Sequence, residues 1–171
     1  MKKTLPIPYA DLVAPLTWGE CKTITDACQA EYRARFGDAW QPPSDENLVH
    51  WACSEIAEAI IACRNVDPER SPHLMAAYLK ELADVMFVAP QIGDRHLREL
   101  VLKSAFSCAR PIDHDDRADA VVRAAFRLVA HDNLRRLKTA TIAPDGKVTK
   151  SPDYPTGEVL GWIEEVLRQT E

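Results

Sequence analysis

The sequence predicts an all-α fold, a helical bundle built around two antiparallel helices that each carry a pair of acids. Three observations lead there. Apolar residues recur at three- and four-residue steps along most of the chain, which is the spacing of one helix face. No convincing series of alternating apolar and polar residues suggests a sheet. Prolines and glycines fall largely between the periodic stretches and punctuate them. With 46% apolar and 27% charged residues among 171, the composition is that of an ordinary globular chain, long enough for a packed core. One domain over residues 1–171 is expected, with a helical core at 17–137, a basic loop at 139–156 and a terminal helix at 158–169.

The first helix should run from about Thr17 to Phe36, where Trp18, Cys21, Ile24, Cys28 and Tyr32 form the apolar series and Gly37 supplies a stop. Pro42-Pro43 separates it from the next, which Ser44 or Asp45 can cap and which continues to about Asn65. Asp67-Pro68 and Ser71-Pro72 make the connecting turn. The following helix is expected from Pro72 to Ala89, ended or kinked by Pro90. Arg95 to Cys108 and Asp115 to Leu137 read as two further helices, and the acids that open the second suit the positive end of a helix dipole. Residues 139–156 hold three prolines and no apolar stripe, so they read as a loop in which Asp145-Gly146 offers a small hairpin. Val159, Trp162, Ile163 and Val166 mark the apolar side of a last helix, Glu158 to Gln169.

A net charge of −5 offers no broad surface for a nucleic acid polymer, although local lysines and a metal can still neutralise the phosphates of a free nucleotide. The five cysteines, at 21, 28, 53, 63 and 108, are odd in number and lack C-x-x-C spacing. They read as small buried residues in a reducing compartment, not as a disulfide framework or zinc site. Pro6, Pro8 and Asp11 interrupt the apolar run that a signal peptide beginning Met1-Lys2-Lys3 would need. No stretch approaches the roughly 20 apolar residues of a membrane span. A cytoplasmic protein without membrane contact is the expectation.

The chemistry is concentrated in two acid pairs. Glu55 with Glu58, and Glu81 with Asp84, each stand three residues apart, and 22 residues lie between the pairs. Residues i and i+3 occupy neighbouring ridges of one helix face, so each pair can point at a single ion, and hard cations such as Mg²⁺ favour oxygen ligands. At about 100° per residue, the stripe of Val49, Ala52, Ile56, Ile60 and Cys63 places Glu55 and Glu58 at the border of the core, away from Asn47, His50, Ser54 and Arg64. Glu81 and Asp84 are flanked in the same way by Leu74, Ala77, Val85 and Val88. Carboxylates beside apolar surface repel one another and lose solvation unless a cation or protons offset them. Spacing alone does not separate that arrangement from a solvated rim in a chain with 26 acidic residues.

The segments Ser54-Glu-Ile-Ala-Glu-Ala-Ile60 and Lys80-Glu-Leu-Ala-Asp-Val-Met-Phe87 resemble the all-α nucleoside triphosphate pyrophosphatases of the MazG-like group, whose metal motif reads E-x-x-E, a spacer, then E-x-x-D. Downstream, His131-Asp-Asn-Leu-Arg-Arg-Leu137 and Asp145-Gly-Lys-Val-Thr-Lys-Ser-Pro-Asp-Tyr154 are similar to the asparagine-containing helix end and basic tail of some members. Between Asp84 and Asn133 lie 48 residues, more than the compact family pattern, which makes room for an additional helical segment. The resemblance implies hydrolysis of a nucleoside triphosphate between its α- and β-phosphates, to the monophosphate and pyrophosphate, with Mg²⁺ or Mn²⁺ as cofactor. It implies Glu55, Glu58, Glu81 and Asp84 as the catalytic metal shell and leaves open which of them accepts the water's proton. Asn133 carries over as a contact to sugar, base or phosphate, Lys147 and Lys150 as phosphate contacts, and either Arg136 or Lys138 as the basic residue that follows the asparagine. A homodimer or homotetramer is implied as well.

Base recognition needs an aromatic surface, and Trp51, one turn before Glu55, is the leading candidate, with Tyr154 a second. Stacking on a base contributes about 1–3 kcal/mol. Each of these residues also has a plainer reading: solvation for the lysines, a helix C-cap for Asn133, core or subunit contact for Trp51.

Other enzyme classes lack their signatures. A di-iron carboxylate bundle needs Glu-x-x-His pairs, a serine hydrolase of the α/β type a G-x-S-x-G elbow, and a P-loop NTPase G-x-x-x-x-G-K-[ST]; none occurs. The alternative is a non-catalytic helical oligomerisation or interaction module whose acids frame an interface.

Overall fold

Side-chain caps at Thr17, Ser44 and Asp94 set three of the helix starts, and burial then fixes which face each helix turns inward. The computed structural model describes residues 3–64, 71–108, 116–144, 147–155 and 157–170. Among them the expected all-α architecture is found: α1 (Tyr9–Val13), α2 (Trp18–Phe36), α3 (Asp45–Arg64), α4 (Pro72–Val88), α5 (Arg95–Cys108), α6 (Asp116–Arg136) and α7 (Gly157–Thr170), with one short hairpin. The expected Asp67-Pro68 turn, the Asp145-Gly146 tip and most of the acids before α6 lie outside the described residues.

Thr17 opens α2 with a reciprocal capping box: the Glu20 amide donates to Thr17 Oγ1 at 3.2 Å and the Thr17 amide donates to Glu20 Oε2 at 2.6 Å. Gly37 ends the helix at φ 55°, a backbone conformation that other residues resist. Ser44 caps α3 by accepting from the Asn47 amide at 3.2 Å. That frees the Asp45 carboxylate for another task. It accepts the Gly93 and Asp94 amides at 2.8 Å each, tying the start of α3 to the loop that leads into α5. The helix at Pro72 stops at Val88, where a 3₁₀ turn over Ala89–Gln91 accommodates Pro90.

The short α1 was not expected, because five residues carry no readable period. Its support is tertiary. Arg127 donates to the carbonyls of Leu12, Ala14 and Pro15 at 2.7, 2.9 and 3.0 Å, and Arg123 donates to that of Val13 at 3.2 Å. Two arginines of α6 thereby satisfy carbonyls at the end of α1 that no helical partner reaches.

α4 is the central helix, packed against α3, α6 and α7, and it buries residues around most of its circumference: Ala76, Tyr78, Leu79, Leu82, Ala83, Val85 and Phe87. Since Asp45 at the start of α3 meets Gly93 just past the end of α4, the two helices run antiparallel. The main core joins them to α6 and α7 through Leu48, Phe126, Leu128 and Ile163. A second, smaller core of Tyr32, Trp40, Leu137, Ala140 and Val148 lies beneath the hairpin, whose strands β1 (Thr141–Ile142) and β2 (Val148–Thr149) pair Thr141 with Thr149 and Ile142 with Val148.

Cys21 and Cys28 are buried free thiols, and burial pushes Cys28 up to about 11. Cys63 is half-buried, but Cys53 is exposed, contrary to the expectation for it. The buried residues of α3, Leu48, Ala52, Ile56 and Ala59, centre about 55° from Glu55, so Cys53 falls about 105° from their centre. The Cys108 side chain lies outside the description. No described helix is long and apolar enough to cross a membrane.

Candidate metal centre

Facing positions of α3 and α4 bring three carboxylates together. One oxygen from each of Glu55, Glu81 and Asp84 lies within 4.8 Å of the others, and all three side chains are partly buried. Glu58 is not in this group; it is exposed, and its charge acts on Glu55 from one turn away. The register of α3 explains the split, since Glu55 stands about 55° from the centre of the buried face and Glu58 about 115°. On α4, the buried residues centre about 150° from both Glu81 and Asp84, so the two acids share the less buried side of that helix and are only partly covered.

A lysine occupies the cluster. Lys80 Nζ lies 2.9 Å from Glu81 Oε2 and 2.8 Å from Asp84 Oδ2. Burial works against its ammonium, but Asp84 and Glu81 outweigh that and hold it above its ordinary range. Burial also raises Glu81, to about 7, against the opposing effect of Lys80. Glu55 is raised by burial and by the Asp84 charge, with Lys147 and Lys80 opposing. Three carboxylate oxygens within reach of one point, one edge of them already holding a cationic group, make a donor set suited to a hard divalent cation.

This environment fixes a pH dependence. With Glu81 raised from 4.5 to about 7, the metal-free folded chain binds up to one proton more than the unfolded chain between those values. Stability in chelator is therefore expected to fall as pH rises from about 4.5 to about 7, and Glu81→Gln should reduce that slope, leaving the part that the raised Glu55 contributes. Thermal melts across that range provide the check; a flat wild-type profile would contradict the assignment.

The hairpin brings a second cation. Lys147 Nζ is 3.6 Å from Glu55 Oε1 and 5.7 Å from the centre of the Trp51 ring, so the expected lysine, the expected aromatic and one acid meet at one edge of the cluster. Lys150 lies toward α6. Burial and the charges of Arg136 and Lys80 hold its ammonium below the ordinary range, with Asp132 and Asp84 opposing. Of the two basic residues that could follow the asparagine, Lys138 is exposed, whereas Arg136 is partly buried beside Tyr32 and its Nε has no hydrogen bond among the described residues. Asn133 is 2% exposed and sits inside the last turn of α6, ahead of the C-cap position.

Tyr154 has a different environment from the one expected for base contact. Its hydroxyl donates to Asp132 Oδ1 at 2.7 Å and accepts from Arg135 Nε at 2.8 Å, and its ring faces the Arg135 guanidinium at 5.2 Å. Burial and the bond to Asp132 push this hydroxyl up to about 12.

Lys80, Asp132 and Arg135 were not anticipated. Lys80 had a signal, the i,i+4 spacing to Asp84. Asp132 and Arg135 had none, because their partner Tyr154 is 22 and 19 residues away. No family model, no curated protein and no solved structure matches the chain.

Proposed function

We propose that this chain is a Mg²⁺-dependent nucleoside triphosphate pyrophosphohydrolase, which releases a monophosphate and pyrophosphate. The observation that carries the reading is the meeting of Glu55, Glu81 and Asp84 beside Lys147 and Trp51, a cation site next to a phosphate-binding charge and a stacking surface. The likeness of the two acidic segments to the MazG-like motif supports the same reaction.

Glu55, Glu81 and Asp84 would hold the ion, which supplies positive charge to phosphate oxygens as negative charge develops on the leaving group. Lys147 adds charge at the Glu55 edge, and Lys150 with Arg136 adds it toward α6. Trp51 offers its ring to the base, and Asn133 offers a buried amide. Glu58, exposed one turn from Glu55, stands on the solvent side, where it can take a proton from an attacking water. Free thiols at Cys21, Cys28, Cys53 and Cys63 suit the reducing cytoplasm.

A panel of canonical and modified nucleoside triphosphates, incubated with Mg²⁺ or Mn²⁺, tests the proposal. At least one nucleotide is expected to give equal amounts of monophosphate and pyrophosphate, and chelator should stop both. The exposed side chains of Ile61 and Leu100, at 63% and 56%, favour a second reading, a non-catalytic helical module that pairs with another copy. That reading prevails if no nucleotide is cleaved and Glu58→Gln alters assembly alone.

A further inference from the structure

The segment after β2 is held by a polar clamp that the acidic cluster does not use. Arg135 lies between two rings, 5.2 Å from the centre of Tyr154 and 5.0 Å from that of Trp162. Its Nε donates to the Tyr154 hydroxyl at 2.8 Å, and its Nη1 pairs with Glu158 at the start of α7. The Tyr154 hydroxyl donates in turn to Asp132, which is 4% exposed. His131 meets the Trp162 ring edge-on at 5.8 Å. The clamp thus joins α6, the segment after the hairpin and α7.

Its position relative to the lysines gives it a consequence. The Tyr154 amide donates to the Ser151 carbonyl at 3.0 Å, closing a tight turn directly after Lys150. Lys147 and Lys150 flank β2, so a fixed Tyr154 limits how far either can leave the cluster.

We propose that Tyr154 is a positioning residue: held between Asp132 and Arg135, it keeps Lys147 beside Glu55 and limits the travel of Lys150 at the other end of β2. The role of the lysines rests on the pyrophosphohydrolase reading, but the clamp itself is tested independently of it. Breaking a hydrogen bond to a charged group raises the locally opened population by about tenfold or more. Opening a segment whose anchor lies outside the main core need not unfold the rest.

The experiment is timed trypsin digestion of the full-length chain under native conditions, with fragments identified by mass spectrometry, for wild type and Tyr154→Phe. Cleavage after Lys147 and Lys150 is expected to accelerate by about tenfold, with cleavage after Lys22 and Lys103 unchanged. Glu158→Gln, which loosens the clamp at its exposed edge, should give a smaller change at the same two sites and covers the case in which Tyr154→Phe fails to fold. Wild-type rates at Lys147 and Lys150 in every folded variant would overturn the proposal, and so would equal acceleration at all sites. Where wild type cleaves a nucleotide, Tyr154→Phe should raise KM with kcat held within about twofold, the pattern of lost substrate binding. A fall in kcat at unchanged KM would also overturn the positioning role. If wild type cleaves no nucleotide, the function proposed above fails, and the digestion still decides the clamp.

Discussion

Glu81→Gln and Asp84→Asn, made singly, are expected to lower Mg²⁺-dependent pyrophosphate release by at least about a hundredfold. Loss of groups that merely support metal ligands costs about 10- to 100-fold, and these two side chains would be ligands themselves. Each substitution preserves volume and replaces one anionic oxygen with an amide. Helical content should therefore change little, since neither residue caps α4. The two variants also ask for more Mg²⁺, so the measurement is turnover across an Mg²⁺ titration, with circular dichroism as the folding control. Wild-type turnover in both variants would remove the site assignment.

Lys80→Met should have its largest effect where no divalent cation is present. Lys80, Glu81 and Asp84 are each at most 20% exposed, so removing the ammonium leaves poorly solvated carboxylates without their partner. Breaking a buried pair in this way costs about 3 kcal/mol, which for a chain of this size lowers Tm by roughly 6–12 °C. The loss should be measured near pH 8, above the value of about 7 to which Glu81 is raised, because below it a proton replaces part of the missing charge. Saturating Mg²⁺ is expected to restore most of the lost stability, as the ion takes the place of the ammonium. An equal loss with and without Mg²⁺ would show that Lys80 serves packing alone and that the cluster binds no ion.

Most of the helical framework was legible in the sequence because its signals are local. Thr17, Gly37, Ser44, Pro72 and Pro90 act within a turn of their own positions, and the helix ends they mark agree with the structure to within one or two residues. α1 was not legible, because the contacts that support it come from Arg123 and Arg127, more than a hundred residues downstream. The candidate site divides along the same line. The i,i+3 spacing placed Glu81 and Asp84 on one side of a helix, but which of Glu55 and Glu58 turns inward depends on how α3 is rolled against α4. The sequence stripe, drawn through Val49 and Cys63, centred too far round; the buried set, with Leu48 and Ala59, is shifted toward Glu55. Tyr154 was read from its ring, whereas its surroundings are set by Asp132 and Arg135 on another helix.

The two cores place the candidate site across a mechanical seam. Glu55, Glu81 and Asp84 stand on helices anchored in the large core, whereas Lys147 and Lys150 flank a strand whose buried side chain, Val148, belongs to the small one. Few apolar side chains hold that smaller unit, so its opening is cheaper than unfolding the bundle. Acids and lysines can therefore respond separately to heat, denaturant and substitution. On the pyrophosphohydrolase reading proposed above, a change confined to the hairpin would alter which lysines meet a nucleotide while the carboxylate frame stayed intact.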